Sequence, residues 1–177
     1  INWTGRKFGN DAHSGTLSLS EGELSVEDGN ITGGSFTIDM ASMVCTDEMP
    51  DEGKAKLVGH LSNGDFFNVE KYPTAKFTIT EVSELEGEEV ATHAISGNLT
   101  MLDSTHNVTF NATVANEDGQ ITATSQGFVI DRTMWNIKFM STLIGMAKDK
   151  AIKNELELKV TLVASEGNAT SDEKVTE

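Results

Sequence analysis

Short segments in which apolar and polar residues alternate run through most of this chain, and they constrain its fold more than any other feature. In the last of them, Leu156, Leu158 and Val160 share one parity. Alternation of this kind, closed by Gly, Asn or Asp, is typical of β-strands with one buried face. The strands that we predict are Gly15–Ser20, Glu23–Glu27, Asn30–Ala41, Lys76–Leu85, Thr92–Leu102, Asn107–Val114, Gln120–Ser125, Gly127–Arg132 and Asn154–Ala164.

One stretch follows a helical period instead. Leu57, Val58 and Leu61 recur at the spacing of one helix face, and Asp51 before them favours a helix start through the helix dipole. We therefore predict a helix over Gly53–Leu61.

The segment Asp65–Phe77 holds four of the eleven aromatic residues and one of the two prolines. Proline fixes its own φ and pushes the preceding residue out of the helical region, so Tyr72-Pro73 requires an extended or turn backbone. The segment is predicted to contain a helix end, a turn and a strand start, with aromatic bulk at the junction.

Many antiparallel strands with one helix, and no alternation of strands with helices, predict an all-β barrel or sandwich. A barrel of about eight strands can be filled by side chains or can hold one small ligand, and the pattern does not decide between the two. The 177 residues fit one domain, which we place at residues 1–164. Residues 165–177 are expected to form a loose, acidic and polar C-terminal tail.

The net charge of the chain limits the classes of partner that it can bind. With 28 acidic and 13 basic residues the net charge is -15, which repels phosphate backbones and anionic headgroups, so no nucleic-acid partner is expected. No apolar run approaches the length of a membrane span, so stable membrane insertion is not expected either. The single Cys45 excludes an internal disulfide. The chain opens at Ile1 and not at Met, so a leader removed by processing or by design is an open possibility.

Catalytic and metal-binding motifs are not evident. The four histidines are scattered, with none at the i, i+2 or i, i+4 spacing of a metal site, and no nucleophile elbow or P-loop occurs. We predict no catalytic residue, no metal site and no required cofactor.

Two features near the end of the barrel pattern leave alternatives open. Arg132 shares parity with Phe128 and Ile130, so it could orient a polar headgroup at a cavity mouth. Physical chemistry alone favours the alternative, an arginine that extends to the rim or pairs with a carboxylate. The Met- and Trp-rich stretch from Met134 to Met146 could pack as a lid over the core or serve as a deformable gate, because methionine adapts to varied apolar partners.

Taken together, these residues resemble the YceI-like family of bacterial lipid-binding proteins. The resemblance runs from Trp3 to about Val163 and keeps the order of many short motifs. The matching segments are Gly33–Met40, Leu57–Leu61, Asp65–Phe77, Gly97–Thr100, Val108–Phe110 and Ile130–Thr133, followed by Trp135 and Ile137. Where the family pattern has Gly in the late motif, this chain has Asn136, a residue that tolerates left-handed backbone geometry.

The resemblance implies an extended, antiparallel, lipocalin-like β-barrel with one helix around an apolar tunnel. Its implied ligand is a long-chain amphiphile, such as a polyisoprenoid or isoprenoid quinone, and its implied location is the bacterial periplasm or outside the cell. The residues expected to contact the ligand are Phe36, Ile38, Met40, Leu57, Leu61, Phe66, Phe67, Tyr72, Phe77, Leu99, Met101, Phe110, Phe128, Ile130, Arg132, Trp135 and Phe139.

Three functions are compared on this basis. The first is binding, storage or transport of a long apolar small molecule without catalysis. The second is a filled barrel that acts through its surface as an interaction or stress-response module with no bound lipid. The third, a lipid esterase or isomerase, needs a nucleophile or acid/base group inside, and the expected inward positions are almost all apolar. A homodimer is an open possibility for each.

Overall fold

The computed structural model describes residues 1–9, 11–87 and 90–165, so the predicted C-terminal tail lies almost wholly outside the described residues. One α-helix, α1 (Asp51–Ser62), and two short 3-10 helices, Arg132–Trp135 and Thr142–Ile144, accompany the strands. None of the helices within these ranges is long and apolar enough to span a bilayer. The strands are β1 (Asn2–Lys7), β2 (Ala12–Glu27), β3 (Asn30–Cys45), β4 (Thr74–Glu84), β5 (His93–Met101), β6 (Ser104–Glu117), β7 (Gln120–Ser125), β8 (Phe128–Asp131), β9 (Ile152–Lys159) and β10 (Thr161–Ser165).

The ten strands form a single antiparallel sheet that closes on itself. Their order is β10-β7-β6-β5-β4-β3-β2-β1-β9-β8. Only Gln126 and Gly127 separate β7 from β8, and only Val160 separates β9 from β10, so each of these pairs is one bent strand. β7 pairs with β10 while β8 pairs with β9, which joins the two bent strands along their length. Counted in this way the wall has eight strands, each paired with the next over at least part of its length, which confirms the predicted antiparallel barrel.

The structure corrects three predicted strand boundaries. β1 was not predicted, because Asn2–Lys7 contains one large apolar residue, Trp3, and therefore shows no alternation. Gly15–Ser20 and Glu23–Glu27 are parts of the single strand β2, whose pairing with β3 shifts register between Leu19 and Glu21 and so breaks the parity.

The predicted strand Asn154–Ala164 is divided at Val160, where the chain leaves β1 and β8 and continues along β7. The alternation of side chains does not reveal this change of partner strands, because it continues on both sides of Val160.

The predicted helix is confirmed and is slightly longer than expected. α1 begins after Pro50, and the backbone N–H of Gly53 donates to the Pro50 carbonyl at 2.8 Å. None of its residues is fully buried, but Leu57 and Leu61 are half-buried against the barrel. The chain then turns through residues 63–73, and β4 begins at Thr74, directly after Tyr72-Pro73, as the aromatic segment predicted.

Large rings in the barrel wall lie flat against glycines of the neighbouring strand. A Cβ on Gly97 would meet the Phe77 ring and would lie 2.7 Å from the Thr78 carbonyl. A Cβ on Gly22 would lie 2.8 Å from the Phe36 ring. The glycines therefore allow aromatic side chains to pack on the sheet instead of standing away from it.

The two ends of the barrel differ. At one end, called the lid end below, α1 and residues 132–151, which we call the lid, lie across the opening, next to the ends of β3 and β8 and the start of β9. At the other, called the hairpin end, the chain turns tightly at Asp28-Gly29 and at Asp118-Gly119.

Candidate functional site

The barrel encloses a cavity of about 410 Å³. It reaches from Phe66 and Phe139 at the lid end, past Phe110 and Phe128, to Leu24 and the small Ala123 towards the hairpin end. Most of its wall is hydrocarbon. A volume of this size lies within the range of small-molecule sites, which are concave and mainly apolar with a few polar groups.

A second hollow lies outside the barrel at the hairpin end, between the turns of β2–β3 and β6–β7. Leu19, Leu24, Phe36 and Leu162 line both spaces. The apolar interior therefore continues towards the surface at the end opposite the lid.

Most of the residues expected to contact a ligand surround this cavity. Fifteen of the seventeen lie in its wall: Phe36, Ile38, Met40, Leu57, Leu61, Phe66, Phe67, Phe77, Leu99, Met101, Phe110, Phe128, Ile130, Arg132 and Phe139. They come from β3, α1, the turn after it, β4, β5, β6, β8 and the lid. Strand parity accounts for the inward position of the residues from β3, β5, β6 and β8. Phe66, Phe67 and Phe77 were expected from the family resemblance.

Tyr72 and Trp135 are the two that the structure places outside the cavity wall. Trp135 is only 1 % exposed, and its indole Nε1 donates to the Leu99 carbonyl at 3.0 Å. This bond fixes the first short helix of the lid to β5. Tyr72 is half-buried in the turn before β4, with the Lys71 ammonium 4.9 Å from its ring centre.

Sequence reasoning missed the contribution of β1 to the cavity. Ile1, Trp3 and Gly5 all lie in its wall, together with Leu17 of β2. Their shared parity would have identified them if the strand had been recognised. It also missed Leu156, although the alternation of β9 had shown that its leucines share one face.

Arg132 makes hydrogen bonds that the sequence did not predict. It is 5 % exposed, so it does not extend to the rim, and within the described residues it is in no ion pair. Its guanidinium donates instead to four backbone carbonyls, those of Ile137 at 2.7 Å, Phe139 at 2.9 Å, Lys153 at 3.0 Å and Ile152 at 3.3 Å. It therefore ties the lid to the start of β9.

The guanidinium carbon of Arg132 also lies 6.0 Å from the centre of the Phe66 ring. Burial lowers the pKa of the guanidinium, and the charge of Asp131 partly offsets this effect. Arginine keeps its proton in proteins all the same, so a positive charge lies in the cavity wall. Four hydrogen bonds occupy four of its five N–H groups, which leaves one for another acceptor.

Three rings close the lid end of the cavity. Phe139 of the lid lies 5.3 Å from Phe66 and 5.0 Å from His60, measured between ring centres. His60 and Phe66 meet edge to face at 5.2 Å. Aromatic contacts at these distances add stability beyond the area that they bury. The helix and the lid are thus joined by packing at the point where the cavity is covered.

A hydrogen-bonded pair of polar side chains, His13 and Asp47, borders the lid end. His13 Nδ1 lies 2.7 Å from Asp47 Oδ2, and the Ser14 backbone N–H donates to Asp47 Oδ1 at 2.9 Å. Burial alone would raise the pKa of Asp47, but hydrogen bonds from His13, Ser14 and the Cys45 thiol outweigh it and hold the pKa below its usual value. Within the described part of the chain, no three His, Cys, Asp or Glu side chains are grouped to hold a metal ion.

The comparison with known proteins agrees with this architecture. The family model described as the YceI-like domain matches residues 1–164. The chain is 40 % identical over 83 residues to a UPF0312 protein of Photorhabdus laumondii, which is 47 % of this chain and 38 % of that protein. It is 28 % identical over 117 residues to a UPF0312 protein of Pseudomonas putida, which is 66 % of this chain and 57 % of that one. The chain thus matches only about 40–60 % of the length of these curated relatives.

Solved structures with the same fold are more distant in sequence. BcnA of Burkholderia cenocepacia superposes with a TM-score of 0.68 at 20 % identity, covering 93 % of this chain and 95 % of that one. A YCEI protein of Campylobacter jejuni superposes with a TM-score of 0.62 at 15 % identity, covering 86 % of this chain and 85 % of the other. At these identities the likeness concerns the fold.

Proposed function

The chain belongs to the YceI-like family, and from that premise we propose that it binds a long-chain amphiphile, most simply a polyisoprenoid such as a quinone, inside its barrel. The observation that carries this proposal is the cavity of about 410 Å³ with an almost wholly apolar wall. A barrel that acted only through its surface would be filled by its own side chains.

Binding would be driven by the removal of hydrocarbon from water. Each buried methylene contributes about 0.8 kcal/mol, so roughly ten of them contribute about 8 kcal/mol before the costs of ordering and association are subtracted. The wall suits such a ligand because its side chains form no regular array of donors and acceptors. Affinity would follow chain length more than headgroup chemistry.

Polar groups at the lid end would set the orientation of the ligand. Arg132 brings a positive charge and one unused N–H to the wall, which favours a headgroup with an acceptor oxygen. Trp3 Nε1 is a buried donor that has no partner among the described residues, and an acceptor within its reach would satisfy it. We propose that the headgroup lies at the lid end and the chain extends towards the hairpin end.

We propose binding without catalysis, in the periplasm or outside the cell. A catalytic role would need a nucleophile or an acid/base group facing the ligand. Ser125 lies in the wall, but its Oγ accepts a hydrogen bond from the backbone N–H of Val160 at 2.8 Å. His13 and His60 also lie in the wall, and each is within hydrogen-bond distance of a carboxylate, that of Asp47 and that of Asp65. The proposed location follows the family, and fractionation of cells that express the whole gene tests it.

Denaturing extraction of the purified protein, followed by mass spectrometry of the extract, tests the proposed function. We expect a long-chain amphiphile at up to one molecule per chain, and native mass spectrometry should show the same mass bound to the folded protein. Protein prepared free of lipid should take up an added long-chain quinone. A protein that carries no lipid and takes up no quinone or other long-chain amphiphile would contradict the proposal and would favour the surface module.

A further inference from the structure

The second half of the lid is a loop that is anchored at both ends, and we call residues 141–151 the docking loop. The backbone N–H of Ile152 donates to the Met140 carbonyl at 2.8 Å, which ties the two ends of the loop together. Ser141 is fully buried, and its Oγ donates to Asn154 Oδ1 at 2.8 Å. The loop is therefore fixed at its base and projects from the lid end.

The tip of the docking loop exposes two large apolar side chains side by side. Leu143 is 65 % exposed and Ile144 is 58 % exposed, on the second short helix of the lid. Neither lies in the cavity wall, so neither the closure of the barrel nor a bound ligand accounts for them. Adjacent exposed aliphatic residues at a projecting tip are typical of a site that meets another apolar phase.

The charge around this tip is opposite to that of the molecule. Residues 132–153 contain five of the 13 basic residues and one of the 28 acidic residues, so the remaining chain has a net charge of -19. Lys138, Lys148 and Lys150 are exposed and make no ion pair within residues 1–9, 11–87 and 90–165. Three residues separate Ile144 from Lys148, so their Cα atoms are at most about 14 Å apart.

One further lysine joins this group from the barrel. Lys7 at the end of β1 is exposed and pairs with Ile152, next to the base of the docking loop. The acidic residues of the docking loop and of the β1–β2 turn are Asp149 and Asp11, and the carbonyl of Asp11 accepts from the Lys7 backbone N–H at 2.9 Å. The four lysines outnumber these two carboxylates, so the loop and the adjoining turn carry a local positive charge.

We propose that the docking loop attaches the lid end to a bilayer surface that contains anionic phospholipids. Leu143 and Ile144 would enter the region between headgroups and acyl chains, while the lysines would meet the phosphates. The net charge of -15 predicts repulsion from such a surface, but charges more than a Debye length of about 8 Å away are largely screened at physiological salt. The local positive charge therefore decides the encounter.

Charge also argues against a second copy of the chain as the occupant. Two docking loops that met tip to tip would bring like-charged lysines together, which is unfavourable. An anionic bilayer offers both the negative charge and the apolar phase that the loop requires.

This attachment would place the covered end of the cavity at the membrane. Phe139 and Met140 line the cavity and directly precede the docking loop. An amphiphile that left the bilayer at this point would meet the lid first. The attachment itself does not depend on ligand binding, because Leu143, Ile144, Lys148 and Lys150 all lie outside the cavity wall.

Flotation of the protein with phospholipid vesicles tests the proposal. The wild-type protein should bind at low salt to vesicles of phosphatidylcholine that contain about 30 mol % phosphatidylglycerol. It should bind far less to vesicles of phosphatidylcholine alone. Lys148→Glu with Lys150→Glu should reduce binding to the anionic vesicles at least tenfold. Leu143→Ser with Ile144→Ser should reduce it by a similar factor at unchanged charge.

Matched controls separate the docking loop from general electrostatics. Lys76→Glu with Lys159→Glu makes the same change of charge at two exposed lysines of β4 and β9 and should leave vesicle binding within twofold of wild type. Near-UV circular dichroism and the lipid content of each variant should equal those of wild type, so that loss of docking is distinguished from loss of folding or of ligand.

Three results would overturn the proposal. One is equal binding to anionic and neutral vesicles, and another is an equal loss of binding in the two pairs of lysine variants. The third is a change of oligomeric state, seen by sedimentation, in the Leu143 and Ile144 variant without a change in vesicle binding. That outcome would assign the tip to contact between copies of this chain.

Discussion

Arg132 shows that a residue can be identified by pattern while its role depends on contacts that no local pattern contains. Its parity with Phe128 and Ile130 predicted that it would point inward, and the structure places it in the cavity wall. Its partners are carbonyls of the lid and of β9, up to 21 residues away in sequence. Because main-chain acceptors carry no sequence signature, the anchoring of the lid by this side chain could not be predicted.

Replacement of Arg132 should loosen the lid. Arg132→Met would leave the four carbonyls without their donor, and we expect the free energy of unfolding to fall by about 2–4 kcal/mol. Arg132→Lys keeps the charge but not the planar fork of donors, so its loss should be smaller. Urea denaturation measures both. Changes below about 0.5 kcal/mol in both variants would show that these hydrogen bonds contribute little net stability.

Asp47 should give the protein part of its sensitivity to acid. Its pKa lies below the usual value in the folded protein, against about 3.9 in the unfolded chain. The stability contributed by the ionised carboxylate is therefore fully present above about pH 4 and is lost as pH falls through the folded pKa. Asp47→Asn removes this titration, so the loss of stability between pH 5 and pH 3 should be smaller in the variant than in wild type.

Urea denaturation at the two pH values measures this difference. Glu48→Gln is the matched control, since Glu48 is an exposed neighbour of Asp47. The stability of Glu48→Gln should fall between pH 5 and pH 3 by the same amount as that of the wild-type protein. An unchanged dependence in Asp47→Asn would show that other carboxyl groups determine acid sensitivity.

At the scale of elements, alternation predicted the strands but not their partners. Strand parity is a local property, so the inward faces of β3, β5, β6 and β8 could be assigned from sequence. The change of partner at Val160 depends instead on residues from β7, which meet it through the closure of the barrel. β1 escaped prediction because Gly5 and its polar neighbours lack the apolar residues that make alternation visible.

The closure itself rests on a reciprocal pair of hydrogen bonds that can be tested. The Ser125 backbone N–H donates to the Val160 carbonyl, and Ser125 Oγ accepts from the Val160 N–H, both at 2.8 Å. Ser125 is 3 % exposed, so Ser125→Ala would leave a buried N–H unpaired and should cost about 1–3 kcal/mol of unfolding free energy.

Hydrogen exchange of the Val160 amide should also become faster in Ser125→Ala. Ser96→Ala is the control, because its hydroxyl pairs with Thr109 on the exposed face of the sheet. Ser96→Ala should lower the free energy of unfolding by no more than about 0.5 kcal/mol. Equal losses in the two variants would show that the junction between β7 and β10 has no special role in closing the barrel.

For the whole molecule, the decisive property is that the barrel is closed but not filled. Composition and alternation left a filled barrel and a hollow one equally open, because both require the same inward apolar residues. Whether the barrel is filled or hollow depends on the summed volume of the inward side chains of all eight strands. Gly5 is one place where this volume is deficient, since it lies in the cavity wall and no atom lies within 4 Å of where its Cβ would be.

Gly5 therefore offers a way to fill the cavity without disturbing the barrel. Its backbone lies in β1, between His13 of β2 and Leu156 of β9, and its φ is not positive, so a side chain can be placed there without strain. Phenylalanine is favoured in strands and would extend into the open space. Gly5→Ala makes the same change of backbone freedom with almost no added volume, and it serves as the control.

We expect Gly5→Phe to fold and to lose its lipid. A ligand present at 100 times its dissociation constant stabilises the folded state by about 2.7 kcal/mol, which should appear as a rise in Tm on addition of a long-chain quinone. Wild type and Gly5→Ala should both show this rise and should both yield amphiphile on extraction, whereas Gly5→Phe should show neither. If Gly5→Phe retained a full complement of lipid, the ligand would have to lie away from β1, and the headgroup position proposed at the lid end would be wrong.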